Sequence, residues 1–96
     1  MQNLSTEKDM NIYIMLNKTL DTYKTRVNLY EICKVYSNED IGMTKNVVFD
    51  ISKRDATLIT LVDVVQRIQE LYPDASIQNL SDTDSVVCRV IKKSPF

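Results

Sequence analysis

Thr60-Leu61-Val62-Asp63-Val64-Val65-Gln66-Arg67-Ile68-Gln69-Glu70-Leu71 is the stretch on which the reading of this chain turns. Leu61, Val64, Val65, Ile68 and Leu71 recur at three- and four-residue spacing, which places them on one face of an α-helix. Gln66, Arg67, Gln69 and Glu70 fall on the wet side. Thr60 has the side chain of an N-cap, and Asp63, three residues on, can return the hydrogen bond. Pro73 stops the helix because it has no amide for the next turn. The β-branched valines lower the intrinsic helix propensity, so the stretch needs a core to pack against.

A second capped segment lies upstream. Asn28 is a candidate N-cap with Glu31 three residues later. Leu29, Ile32, Cys33 and Tyr36 then share a helical face with Lys34 outside it, which predicts a helix over Leu29–Tyr36. Ser37–Gly42 reads as a loop, with the chain's single glycine a natural site for positive φ.

The remaining segments alternate. In Asn11–Leu16, Ile12, Ile14 and Leu16 point one way and Tyr13 and Met15 the other, the pattern of a central or covered strand. Asn17–Lys24 is polar and reads as a connection, with an extended end at Thr25–Val27. Val47, Phe49 and Ile51 define another strand, and Ala56–Ile59 is expected to pair back on it as a hairpin across the polar turn Ser52–Asp55. Ala75–Leu80 is short and extended. Ser81-Asp82-Thr83-Asp84-Ser85 is a turn, and Val86–Ile91 a last strand. The order is strand, helix, strand, strand, helix, strand, strand. It predicts an α+β fold with two amphipathic helices packed on one mixed sheet of four to five strands. Met1–Met10 reads as a disordered lead or expression scar, 11–92 as one domain, and 93–96 as a tail.

Bulk properties narrow the function. Ninety-six residues suffice for one core. The net charge of -1 comes from mixed signs. Without a basic stripe the chain does not read as a nucleic-acid binder. The concentrated basic pairs are Lys53–Arg54 and Lys92–Lys93. No apolar run nears the roughly 18–20 residues that span a bilayer, and the polar N-terminus lacks the apolar region of a signal peptide.

Histidine is absent, which removes Ser-His-Asp, Cys-His and His-metal arrangements. One glycine cannot build a phosphate loop or a dinucleotide fingerprint. Cys33 and Cys88 sit on apolar faces and read as small buried hydrophobes; a disulfide between them is the alternative, with no secretory signal to suggest it. Ser81, Asp82 and Asp84 fall short of the oxygen set a calcium ion needs and read as a plain turn. The expectation is a binding or assembly module, not an enzyme, with no cofactor and no metal. Of the five tyrosines, Tyr36 and Tyr72 fit helix-core positions. Tyr23 and Tyr30 fall off the apolar stripes and are the candidates for a partner-facing surface.

The order and spacing of several segments also carry a family likeness. They are Asn11–Leu16, Val27-Asn28-Leu29-Tyr30-Glu31-Ile32-Cys33-Lys34-Val35, Leu61–Ile68 and Tyr72-Pro73-Asp74-Ala75-Ser76-Ile77-Gln78-Asn79-Leu80, followed by Asp82, Val86 and Val87. From Asn11 to Ile91 the chain resembles the N-terminal domain of the stage V sporulation protein AA family of spore-forming Firmicutes. Ser81 departs from the pattern, standing where a glycine is expected, which puts the turn there in question. The resemblance implies a soluble domain followed by transmembrane helices, with Lys92 and Lys93 a juxtamembrane pair, a position where cations suit the cytoplasmic side; it does not fix which side of the membrane the domain faces. It implies residence in the inner spore (forespore) membrane and partnership with the other membrane proteins of the stage V sporulation A operon. That set is associated with calcium dipicolinate uptake in sporulation and its release in germination. A second reading is direct sensing of dipicolinate, a dianion that would need convergent cations from among Arg26, Arg54, Arg67 and Arg89.

Overall fold

A computed structural model describes residues 10–92. The chain forms β1 (Asn11–Leu16), β2 (Thr19–Thr22), β3 (Arg26–Asn28), α1 (Leu29–Ile32), β4 (Cys33–Ser37), a 3-10 turn (Gly42–Asn46), β5 (Val48–Asp50), β6 (Thr57–Thr60), α2 (Leu61–Leu71), β7 (Ser76–Asn79) and β8 (Ser85–Val90). The fold is α+β with two helices, as the patterning predicts. The strands do not make one sheet of four to five. They form three small sheets with orders β4-β1-β7, β2-β8-β6 and β3-β5.

The first two sheets are linked through consecutive strands of the chain. β1 and β2 run in parallel beside β7 and β8, from Asn11 opposite Ser76 to Thr19 opposite Val87. The link from β7 to β8, residues 80–84, is three residues longer than the link from β1 to β2, residues 17–18. Hydrogen bonds extend both pairings past the strand ends: the Leu80 amide donates to the Ile14 carbonyl at 2.8 Å and the Val87 amide to the Lys18 carbonyl at 3.0 Å. The Ser81 hydroxyl accepts from the Leu16 amide at 3.1 Å. A glycine there could not make that bond, so the departure at Ser81 has a structural role.

Period-two alternation buries Ile12, Ile14 and Leu16 on one face of β1, and Val86 and Cys88 on one face of β8. α2 lays Val64 and Ile68, both fully buried, into the same core as Ile59, Val27, Leu29 and Ile32. Its N-terminus carries the anticipated capping box between Thr60 and Asp63. Arg67, read as solvated, instead donates to the Val48 carbonyl at 2.7 Å and lies 5.2 Å from the centre of the Phe49 ring, tying α2 to β5.

Several local expectations differ from the structure. The first helix ends at Ile32, and Cys33–Ser37 is strand β4, antiparallel to β1. Tyr36 therefore lies on a strand, exposed, and not in a helix core. The polar stretch Asn17–Lys24 contains β2, held by β8. β5 and β6 are not a hairpin, since β5 pairs with β3 and β6 with β8. Gly42 begins the 3-10 turn with φ outside the left-handed region. Its amide donates to Asp40 Oδ1 at 2.8 Å, and a Cβ would come within 3.2 Å of that oxygen. Met10, counted with the N-terminal lead, is partly buried against the core and accepts from the Ser76 amide at 2.8 Å. The rest of that lead and the tail 93–96 lie outside the described residues.

α1 is one turn long and depends on its cap. The Asn28 side chain accepts from the Tyr30 amide at 2.9 Å, and Glu31 Oε2 accepts from the Asn28 amide at 2.8 Å. Lys24 adds an ion pair to Glu31 at 2.8 Å. The Asn28 amide, and then Lys24, hold the Glu31 carboxyl below its ordinary pKa against a small opposing effect of burial. A depressed folded-state pKa stabilises above the unfolded value, and the gain is lost as pH falls through the folded one. Glu31→Gln should therefore flatten the acid limb. Urea melts between about pH 5 and pH 3 should show the wild type losing more stability than the variant; equal losses would contradict this role.

Candidate functional site

The alternation that sends Ile12, Ile14 and Leu16 inward sends Tyr13 and Met15 outward. On the antiparallel neighbour, Tyr36 stands directly opposite Tyr13, and Lys34 opposite Met15. On the parallel neighbour, Gln78 lies beside Tyr13. Leu80 continues that strand one residue past the partner of Ile14 and lies beside Met15. The outer face of β4-β1-β7 thus carries two rows, Tyr36-Tyr13-Gln78 and Lys34-Met15-Leu80. Met15 is 40% exposed, Tyr36 52% and Leu80 54%.

A strand with apolar residues on both faces is expected to be central or covered. β1 is central, and its outer face is open. Tyrosine and methionine are enriched in protein interfaces, and contiguous exposed apolar surface marks interaction sites. Cross-strand pairing holds these side chains in place on a rigid sheet, so a partner would meet them with little ordering cost.

The two tyrosines singled out from sequence lie elsewhere. Tyr30 is 45% exposed, but its hydroxyl donates to Thr44 Oγ1. Thr44, fully buried, donates in turn to the Ile41 carbonyl at 2.7 Å. Tyr30 therefore pins the 3-10 turn to α1. Tyr72 does the same from α2, its hydroxyl accepting from the Met43 amide at 3.2 Å. Tyr23 is 59% exposed between β2 and β3. The segments bearing Tyr23 and Tyr30 are joined by the Lys24–Glu31 pair. Lys92 is exposed just past β8, and Lys93 lies outside the described residues.

The arginines serve separate parts of the fold. Arg26 pairs with Asp50 at 3.0 Å across β3–β5. Arg67 is committed to Val48 and Phe49. Arg54 lies exposed in the turn after β5. Arg89 stands opposite Asp21 in the β2–β8 register, beside a shallow depression of about 220 Å³ shared with Thr19, Asp21 and Val87. Asp82 and Asp84 line an open hollow with Asn79, Ser81 and Thr83. Among the described residues no group of three or more acidic, cysteine or histidine side chains could hold a metal ion. Cys33 and Cys88 are both buried. Burial pushes the Cys33 thiol up to about 12 and raises that of Cys88, disfavouring the thiolate in both.

Among the described residues no helix is long and apolar enough to cross a membrane. The fold is similar to that in a crystal structure of a functionally unknown protein from Eubacterium ventriosum ATCC 27560. That likeness has a TM-score of 0.74 at 15% identity, over 83% of this chain and 91% of the other. At that identity it bears on the fold alone. None of the curated proteins compared matches the chain. The sequence profile described as Stage V sporulation protein AA matches residues 9–93.

Proposed function

The chain belongs to the Stage V sporulation protein AA family, and on that premise we propose that it is an assembly or regulatory domain of an inner spore-membrane complex. Its work is recognition of sister membrane proteins encoded with it, and not catalysis. The complex it serves is the one associated with calcium dipicolinate uptake during sporulation and its release in germination. Anchoring comes from membrane segments beyond this chain, with Lys92 and Lys93 at the junction.

The observation that carries this reading is the open outer face of β4-β1-β7, where Met15, Tyr36 and Leu80 stand exposed on a rigid sheet. The missing histidine and the raised cysteine thiols support a binding role over an enzymatic one. Direct dipicolinate sensing draws less support, because Arg26 and Arg67 are each engaged by partners of their own. Co-purification tests the assembly reading. Tagged full-length protein from sporulating cells should bring down the sister membrane proteins. Recovery of none of them would end it.

A further inference from the structure

We propose that two copies of this chain join edge to edge through β4, turning two β4-β1-β7 sheets into one continuous sheet about a two-fold axis. This goes beyond recognition of sister proteins and needs only the purified chain.

The backbone of β4 supplies the first argument. The Asn38 amide donates to the Asn11 carbonyl at 3.4 Å and the Asn17 amide to the Ile32 carbonyl at 2.9 Å. Both bonds join residues directly opposite one another in the β1–β4 register. Hydrogen-bonded pairs alternate along an antiparallel ladder, so Tyr13–Tyr36 and Met15–Lys34 are the bonded pairs between these two. The N–H and C=O of Val35 consequently point away from β1. Among the described residues β4 is the last strand of its sheet, so that edge is an open template for another strand. On two other edge strands an outward backbone group is already engaged: Arg67 takes the Val48 carbonyl on β5, and Asp63 Oδ2 accepts from the Thr60 amide on β6.

The sequence of β4 commits the occupant to a second copy. Centre an antiparallel pair on Val35 and Val35 of the second copy, and the two exchange both hydrogen bonds. Each Ser37 amide then reaches the Cys33 carbonyl of the other copy. The Cys33 amide, already bonded to Leu29 O as the cap of α1, is not needed. On the core side, two partly buried valines meet. On the outer face, Lys34 lands opposite Tyr36 of the second copy, not opposite its own symmetry mate. Like charges are kept apart and the lysine lies against an aromatic ring. The row Leu80-Met15-Lys34 then continues into Tyr36-Tyr13-Gln78 of the second copy. An isologous contact of this kind closes at two copies instead of growing into a fibre.

Sedimentation velocity on the whole chain, from about 10 μM to about 1 mM, should show a species of twice the 11.1 kDa chain mass. Val35→Pro removes an amide the β1–β4 ladder does not use, so it should leave the circular dichroism unchanged and abolish the dimer. Tyr36→Lys places lysine against lysine twice per dimer and should weaken it at least about tenfold. Adding Lys34→Glu to Tyr36→Lys creates an opposite-charge pair and should restore it. A chain that stays monomeric throughout the range overturns the proposal. So does a dimer that Tyr36→Lys leaves intact or that the double variant fails to restore.

Discussion

Replacing Ile14 by alanine should lower the thermal midpoint of this domain by about 10–25 °C. Ile14 is fully buried on the central strand of β4-β1-β7. Its loss removes a buried side chain that β4 and β7 both flank, and a sheet fixed on both sides cannot collapse into the gap. Such truncations cost roughly 2–5 kcal/mol, a large part of the about 5–14 kcal/mol that holds a chain of this length. The control is one residue away. Met15→Ala, on the outer face, should change stability by no more than about 0.5 kcal/mol. Comparable losses at the two positions would mean that the outer face is not open.

The second large effect concerns binding. The combined change Met15→Ser, Tyr36→Ser and Leu80→Ser should cost less than about 2 kcal/mol of stability, since all three side chains are exposed and only cross-strand contacts are lost. Capture of sister membrane proteins should fall by about a hundredfold or more, as expected when aromatic and apolar anchors leave the centre of an interface. Circular dichroism and a thermal melt establish that the variant is folded, and quantitative co-purification reads the binding. A folded variant with undiminished capture would move the contact surface elsewhere.

Much of this fold is legible in the sequence. α2 is visible because its apolar spacing, Thr60 cap and Pro73 stop all agree. β1 and β8 are visible through strict alternation. The Cys33–Ser37 segment is ambiguous in principle. Cys33 and Tyr36 continue a helical stripe from Leu29, while Cys33-Lys34-Val35-Tyr36 also alternates inward and outward. A capping box fixes where α1 starts and says nothing of its length. Pairing with β1 decides the outcome, and that is a tertiary contact. β2 is polar and four residues long, held by β8 from far along the chain, so no local pattern marks it. The expected hairpin of β5 and β6 rests on adjacency in sequence, which does not oblige strands to pair.

The surface shows the same division. Tyr13 and Met15 are readable as the outward side of β1. That Tyr36 and Leu80 join them follows only from the register with β4 and β7. Tyr30 falls off the apolar stripe and so reads as free for a partner, but its hydroxyl is taken by Thr44, a buried threonine whose place in the core nothing in the local pattern announces.

The outer face of β4-β1-β7 as the contact surface is the central claim, and hydroxyl-radical footprinting tests it most directly. The reagent reads the side chains in question, because methionine and tyrosine react readily when exposed. Oxidation would be compared between the isolated chain and the same domain in the detergent-solubilised assembly from sporulating cells. Met15 and Tyr36 should lose reactivity on assembly, while Tyr23 and Met43, exposed elsewhere on the fold, keep theirs. Protection of Tyr23 with Met15 and Tyr36 unchanged would contradict the claim.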